Sequence, residues 1–127
     1  MKKTEIIKKN YEFKYFFKKG EYISGKYIEI FIHRNKLDKN KLGIIVSKKV
    51  GNSVVRHRMT RLIRESYRLQ ESKFQNGFDI IVIARTNAKD KSYKEIESAL
   101  IHLGTLHNII DLYIGDVKIE NNIYRTY

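Results

Sequence analysis

The sequence predicts an α+β fold: a single-domain α-β sandwich in the order α-β-β-β-α-β-α, with helices laid beside a sheet. Three observations carry this. Ile28, Ile30 and Ile32 alternate with Glu29, Phe31 and His33, the period of a strand buried on one face. Phe78–Ala84 is a continuous apolar run rich in Ile and Val, the pattern of a strand buried on both faces. Between them lies a helical stretch that is apolar on one side and cationic on the other.

The elements follow in order. Residues Asn10 to Lys19 read as a short helix stopped by Gly20, with Phe13, Phe16 and Phe17 on one face by their i, i+3, i+4 spacing. Tyr27–His33 is a strand, with Tyr27, Glu29, Phe31 and His33 on its wetter face. Arg34–Lys41 is a polar loop, and Leu42–Lys48 a strand centred on Ile44, Ile45 and Val46. A helix over Ser53–Ser72 follows, with Gly51 in the turn before it and Asn52 or Ser53 as N-cap. Gln75–Gly77 breaks the chain before the strand Phe78–Ala84. Ser92 and Glu95 have the spacing of a capping box and open a helix whose stripe is Tyr93, Ile96, Leu100 and Leu103. Residues 1–127 form one domain. In the tail, 108–127, the segment Asp111–Ile119 reads as a short strand or as a helical extension.

Composition narrows the function. The 127 residues carry 26 Lys plus Arg against 14 Asp plus Glu, a net charge of +12, which favours a polyanionic partner. Cysteine is absent, excluding disulfides and thiolate metal sites and fitting a cytoplasmic home. No apolar run approaches the ~20 residues of a membrane span. The basic start, Met1 to Lys9, lacks the long apolar segment of a signal peptide.

The charge is concentrated on the second helix. Arg56, Arg58, Arg61, Arg64 and Arg68 share one element, with Glu65 the one acid before Glu71. His57, Arg61, Arg64 and Arg68 fall on one side at 3.6 residues per turn. Val55, Met59, Leu62, Ile63 and Leu69 fall on the other, with Tyr67 at the edge and Arg56 and Arg58 flanking the basic arc. A solvated helix face is one reading; a docking surface for RNA is the sharper one, because planar guanidinium forks suit phosphate. An anionic-membrane helix would need its apolar face free, and here the core requires it.

No catalytic or metal site is predicted. His33, His57, His102 and His107 lack ligand spacing, Asp79, Asp90, Asp111 and Asp116 are scattered, and Ser47 and Ser53 have no base in view. The residues describe a binding protein.

The segment Leu42-Gly-Ile-Ile-Val-Ser-Lys-Lys-Val-Gly-Asn-Ser-Val-Val-Arg-His-Arg-Met-Thr-Arg-Leu-Ile-Arg-Glu65 resembles the signature of the bacterial ribonuclease P protein family. Phe13 and Phe17, the strand end Ile83-Ala-Arg85 and the capped helix from Ser92 also match. The likeness spans roughly residues 6 to 107. It implies a left-handed β-α-β crossover, an exception to the usual hand, in a fold like domain 2 of ribosomal protein S5. It implies a protein subunit that assists endonucleolytic removal of the 5′ leader from precursor tRNA, with the chemistry and its Mg²⁺ on the RNA subunit and no cofactor on the protein alone. The RNA-subunit contacts carried over are Lys48, Lys49, Asn52, Arg56, His57, Arg58, Arg61, Arg64 and Arg68. The leader contacts are Phe13, Phe17 and Phe31; spacing alone leaves Phe13 and Phe17 equally suited to core packing. His57 stands where the family commonly has Asn, and Thr60 where a basic residue is common. The expected partners are the RNA subunit and precursor tRNA, with no membrane and no obligate protein partner. A ribosome-associated or RNA-chaperone protein of the same fold is the alternative, and the ordered Lys48–Glu65 segment argues against it.

Overall fold

The computed structural model describes residues 4–7 and 20–110, together with the backbone of residues 112–114 and 117–119. Its elements are β1 (Thr4–Ile6), β2 (Glu21–Ser24), β3 (Ile28–Arg34), β4 (Asn40–Ile45), α1 (Ser53–Gln70), β5 (Phe78–Ala84), α2 (Tyr93–Leu106), β6 (Leu112–Ile114) and β7 (Val117–Ile119). Short 3₁₀ turns at Glu71–Lys73 and Thr86–Ala88 flank β5. The predicted helix over Asn10–Lys19, with Phe13 and Phe17, lies outside the described residues.

Five strands form one sheet in the order β1-β4-β5-β3-β2. β4 runs parallel to both β1 and β5, whereas β3 is antiparallel to β5 and β2. The chain leaves β4, crosses through α1 and returns as β5, the predicted β-α-β unit. Both helices pack on one face of the sheet. There Ile28, Ile30, Leu42, Ile80 and Val82 meet Met59, Ile63 and Tyr67 of α1 and Ile96, Leu100 and Leu103 of α2. Each fully buried aliphatic side chain in this layer contributes about 1.5–3 kcal/mol. The opposite face carries a smaller cluster in which Phe31, Ile45 and Ile83 surround Ile81 and Ile7. β5 therefore feeds both layers with alternate residues, which is why its sequence shows no polar period.

Several expectations shift by a few residues. β4 begins at Asn40, inside the predicted loop, because Asn40 is itself buried and supplies hydrogen bonds to the interior. Its Nδ2 donates to the Gln75 carbonyl at 2.9 Å and to the Tyr67 hydroxyl at 3.2 Å, and its Oδ1 accepts from the Phe78 N–H at 2.9 Å. α1 ends at Gln70, two residues short of Ser72, and tightens into the 3₁₀ turn. Tyr67, expected at the edge of the apolar stripe, has no exposed surface, while Leu69, expected within it, is 52% exposed. Burial raises the Tyr67 phenol above its ordinary pKa, keeping it a donor beside Thr4 Oγ1 at 2.8 Å. Tyr27 precedes β3 and packs with the helix-side core rather than on the Phe31 face.

The capping box of α2 forms as predicted, Ser92 accepting from the Glu95 N–H while the Glu95 carboxylate accepts from the Ser92 N–H. The open alternatives for Asp111–Ile119 resolve to strands: β6 and β7 pair antiparallel. Gly77 sits at φ +97°, where an L side chain is strained, and lets the turn into β5 pass the Leu37 carbonyl.

Candidate nucleic-acid interface

The first surface is built on α1 and the turn before it. Val50 is buried and anchors that turn, which leaves Lys48 and Lys49 exposed. A side chain at Gly51 would meet Val55 Cγ1 at 2.7 Å, so glycine is required for the chain to enter the helix so tightly. Asn52 is the N-cap, its Oδ1 accepting from the Val55 N–H at 3.0 Å. The first turn holds no acid, so the positive end of the helix dipole faces the same side as Lys48 and Lys49 without compensation.

The five arginines are not equivalent. Arg58, Arg61 and Arg64 are exposed and form no salt bridge among the described residues. With Leu62 and Glu65 they line a cleft of about 500 Å³. Arg68 is engaged in a two-pronged pair, Nε and Nη2 donating to the Glu65 carboxylate at 2.9 and 2.5 Å. That contact also holds Glu65 below the usual carboxylate pKa. Arg56 falls between Ile63 and Tyr67 on the helical wheel and is half-buried, its Nε occluded with no hydrogen-bond partner among the described residues. His57 is exposed on the basic arc. Thr60 turns its hydroxyl back to the Arg56 carbonyl at 3.0 Å and adds nothing to the charge. The free cationic surface is thus the sequential trio Arg58, Arg61 and Arg64, supplemented by the Lys48–Lys49 turn.

The second surface lies across the sheet. Tyr22 of β2 pairs with Phe31 of β3, and Phe31 in turn with Ile81 of β5. The Tyr22 and Phe31 ring centroids are 4.8 Å apart and tilted by 42°. Tyr22 is 48% exposed and Phe31 half-buried, so the pair presents an aromatic platform rather than core alone. One step along the sheet, Lys41 and His33 flank Asp79. Asp79 is buried, accepts from Asn35 Nδ2 at 3.0 Å and lies 3.6 Å from His33 Nδ1. These residues with Arg34 and Lys36 border a cleft of about 460 Å³. Aromatic rings beside a basic groove are the arrangement by which single strands are held. Phe13 and Phe17, expected to complete this surface, lie outside the described residues. Tyr22 was not anticipated, because its placement depends on the β2–β3 register.

His107 caps the end of α2 in the interior, its ring Nε2 3.0 Å from the Ile30 carbonyl; burial holds its pKa below the ordinary value despite that contact and Glu21. No helix among the described residues is long and apolar enough to cross a membrane.

Comparison with known proteins agrees with this architecture. The sequence model of the family described as Ribonuclease P matches residues 1–106. The ribonuclease P protein component of Lachnoclostridium phytofermentans is 51% identical over 107 residues, covering 84% of this chain and 92% of that protein. The Staphylococcus aureus RNase P protein structure superposes with a TM-score of 0.77 at 38% identity, covering 83% of this chain and 96% of that one. The Thermotoga maritima RNase P protein gives a TM-score of 0.73 at 27% identity, over 78% and 94% of the two chains. The chain belongs to the bacterial ribonuclease P protein family.

Proposed function

We propose that this protein binds the catalytic RNA subunit of ribonuclease P through α1 and the 5′ leader of precursor tRNA across the opposite face of the sheet. The observation that carries this is the trio Arg58, Arg61 and Arg64: exposed, aligned along one helix and unpaired with any carboxylate among the described residues. Three guanidinium groups at successive helical turns can each take a phosphate, and none is committed to a carboxylate as Arg68 is. Lys48, Lys49 and His57 extend the contact; Asn52 acts as the cap that orients the helix start toward the RNA backbone. Arg56 sits at the border with the core, where its occluded Nε leaves only the terminal guanidinium nitrogens to reach the RNA.

Phe31 and Tyr22 supply the stacking platform for the leader, with Lys41 near its phosphates. Phe13 and Phe17 are assigned to the same surface on family resemblance alone. Among the described residues no three His, Asp or Glu side chains gather into a metal-binding group. Mg²⁺ and the cleavage chemistry are assigned to the RNA subunit on family resemblance, with the protein positioning the substrate. The test is reconstitution with a bacterial ribonuclease P RNA and precursor tRNA at low Mg²⁺. The protein raises cleavage by the RNA and has no leader-removing activity alone. Robust cleavage by repurified RNA-free protein, or no stimulation of a cognate RNA, overturns the proposal.

A further inference from the structure

A third surface, outside both of those above, lies where the β2–β3 turn crosses α2. A side chain at Gly25 would meet Leu103 Cδ1 at 3.0 Å and the Ile28 carbonyl at 3.1 Å, so the turn rests close on the helix. Arg85 fixes it there, Nη1 donating to Ser24 Oγ at 2.6 Å and to the Gly25 carbonyl at 3.0 Å. Beside this turn is an open pocket of about 420 Å³, walled by Tyr27 and Lys94, with Ala99 and Leu103 at its apolar side and Ser98 and His102 offering polar groups.

The Tyr27 ring is half-exposed and draws two cations: Lys26 Nζ lies 5.4 Å and Lys91 Nζ 5.1 Å from its centroid. Glu95 also lines the pocket, but its carboxylate is occupied by the Ser92 cap, which with Lys91 and Lys26 holds its pKa below the usual carboxylate range. Asp90 and Glu97 are the other acids nearby in sequence, and the Glu97 carboxylate is taken up by Gln70 and Tyr93. Two lysines on the ring and Lys94 on the pocket wall still leave a cationic, aromatic-walled pocket. It is joined to the arginine helix directly, because Arg58 Nη2 donates to the Lys91 carbonyl at 3.3 Å.

The geometry points to this pocket as a second docking point for the RNA subunit, taking an unpaired nucleotide whose base packs on Tyr27 while Lys26, Lys91 and Lys94 hold the adjoining phosphates. Aromatic walls and mobile ammonium groups together match a single-stranded nucleotide. Ammonium–ring contacts at exposed sites are weak, so the lysines can leave the ring for phosphate as the base arrives. The inference rests on the assignment of α1 to the RNA subunit, since the pocket continues that surface.

The test measures binding of the full chain to ribonuclease P RNA across a salt titration. K26Q/K91Q/K94Q weakens binding by about tenfold and lowers the salt slope by about 2, at ~0.7 per phosphate on single strands. Tyr27→Leu weakens binding several-fold with the slope unchanged, and Tyr27→Phe restores it. Should Tyr27→Leu fail to fold, the lysine variant decides alone. Arg61→Ala/Arg64→Ala serves as the internal reference. Wild-type affinity and slope in the lysine variant, with both reduced in the arginine variant, overturns this pocket and leaves α1 intact. Wild-type behaviour of the arginine variant overturns the assignment of α1 itself, and this pocket with it. A loss confined to precursor tRNA binding by the assembled holoenzyme would give the pocket to the substrate and overturn the inference.

Discussion

Asn40 and Tyr67 meet in the interior, the amide of one donating to the hydroxyl of the other at 3.2 Å. The chain of hydrogen bonds runs on through Thr4 Oγ1 to the Glu71 carboxylate at 2.6 Å, tying β1, β4 and the end of α1 together. Tyr67→Phe keeps the ring and removes the hydroxyl's two links, to Asn40 and Thr4, and should cost about 1–2 kcal/mol. Asn40→Ala strands the Phe78 N–H and the Gln75 carbonyl as well, and should cost about 3 kcal/mol or more. Urea unfolding measures both. An Asn40→Ala protein as stable as Tyr67→Phe would show that Asn40 is not the hub.

Arg61→Ala/Arg64→Ala should weaken RNA-subunit binding and lower its salt slope by about 1.4 at ~0.7 per phosphate, with the melting temperature unchanged. Arg68→Ala should have a smaller effect, because Glu65 already balances that charge. Filter binding at several salt concentrations distinguishes them. Equal losses from Arg68→Ala and the double variant would mean that the RNA breaks the Glu65 pair.

On the other face, Tyr22→Ala should weaken holoenzyme binding of precursor tRNA by about 1–3 kcal/mol and leave leaderless tRNA unaffected. Phe31→Ala should do the same but also lower stability, because Phe31 packs on the Ile81 cluster. Tyr22 is therefore the cleaner probe. Matching losses for precursor and leaderless tRNA would contradict a leader-specific surface.

His107 gives a pH dependence with a definite sign. Burial lowers its folded pKa beneath the ordinary 6.5, so the unfolded chain takes up the proton first. The contribution to stability is complete above about that value and is lost as pH falls toward the folded pKa. Glu21, His33 and Arg34 line the same small cavity; the Ile30 carbonyl and Glu21 favour protonation but do not offset burial. Unfolding free energies measured between pH 7.5 and 5.5 should fall in the wild type and fall less in His107→Gln. Identical slopes would remove His107 as the cause.

Where local rules decide, the sequence was readable. The Ser92–Glu95 cap, the start of α1 at Ser53 and the span of β5 all follow from side chains within a few residues of one another. The basic arc of α1 emerges from helical period, but the engagement of Arg68 by Glu65 and the turn of Arg56 toward the core do not, although the i, i+3 spacing of Glu65 and Arg68 was a signal for the pair. β1 and β2 did not emerge, because strands of three and four residues owe their existence to partners distant in sequence. Asn40 looks like a loop residue until its three interior hydrogen bonds are seen. Tyr27 lies just before β3, where strand alternation no longer governs direction. Tyr22 becomes a site residue only through register with Phe31.

β5 lends Ile80 and Val82 to one core and Ile81 to the other. A slip of one residue would exchange the two sets, so neither core can yield to the other. The sheet is a stiff partition with a fixed thickness. The strand that packs against the arginine helix through Ile80 and Val82 is the one that supports the aromatic platform behind it through Ile81. On the proposed assignment of its two faces, the protein would act as a gauge block, setting how far apart the RNA subunit and the leader are held on opposite sides of the sheet.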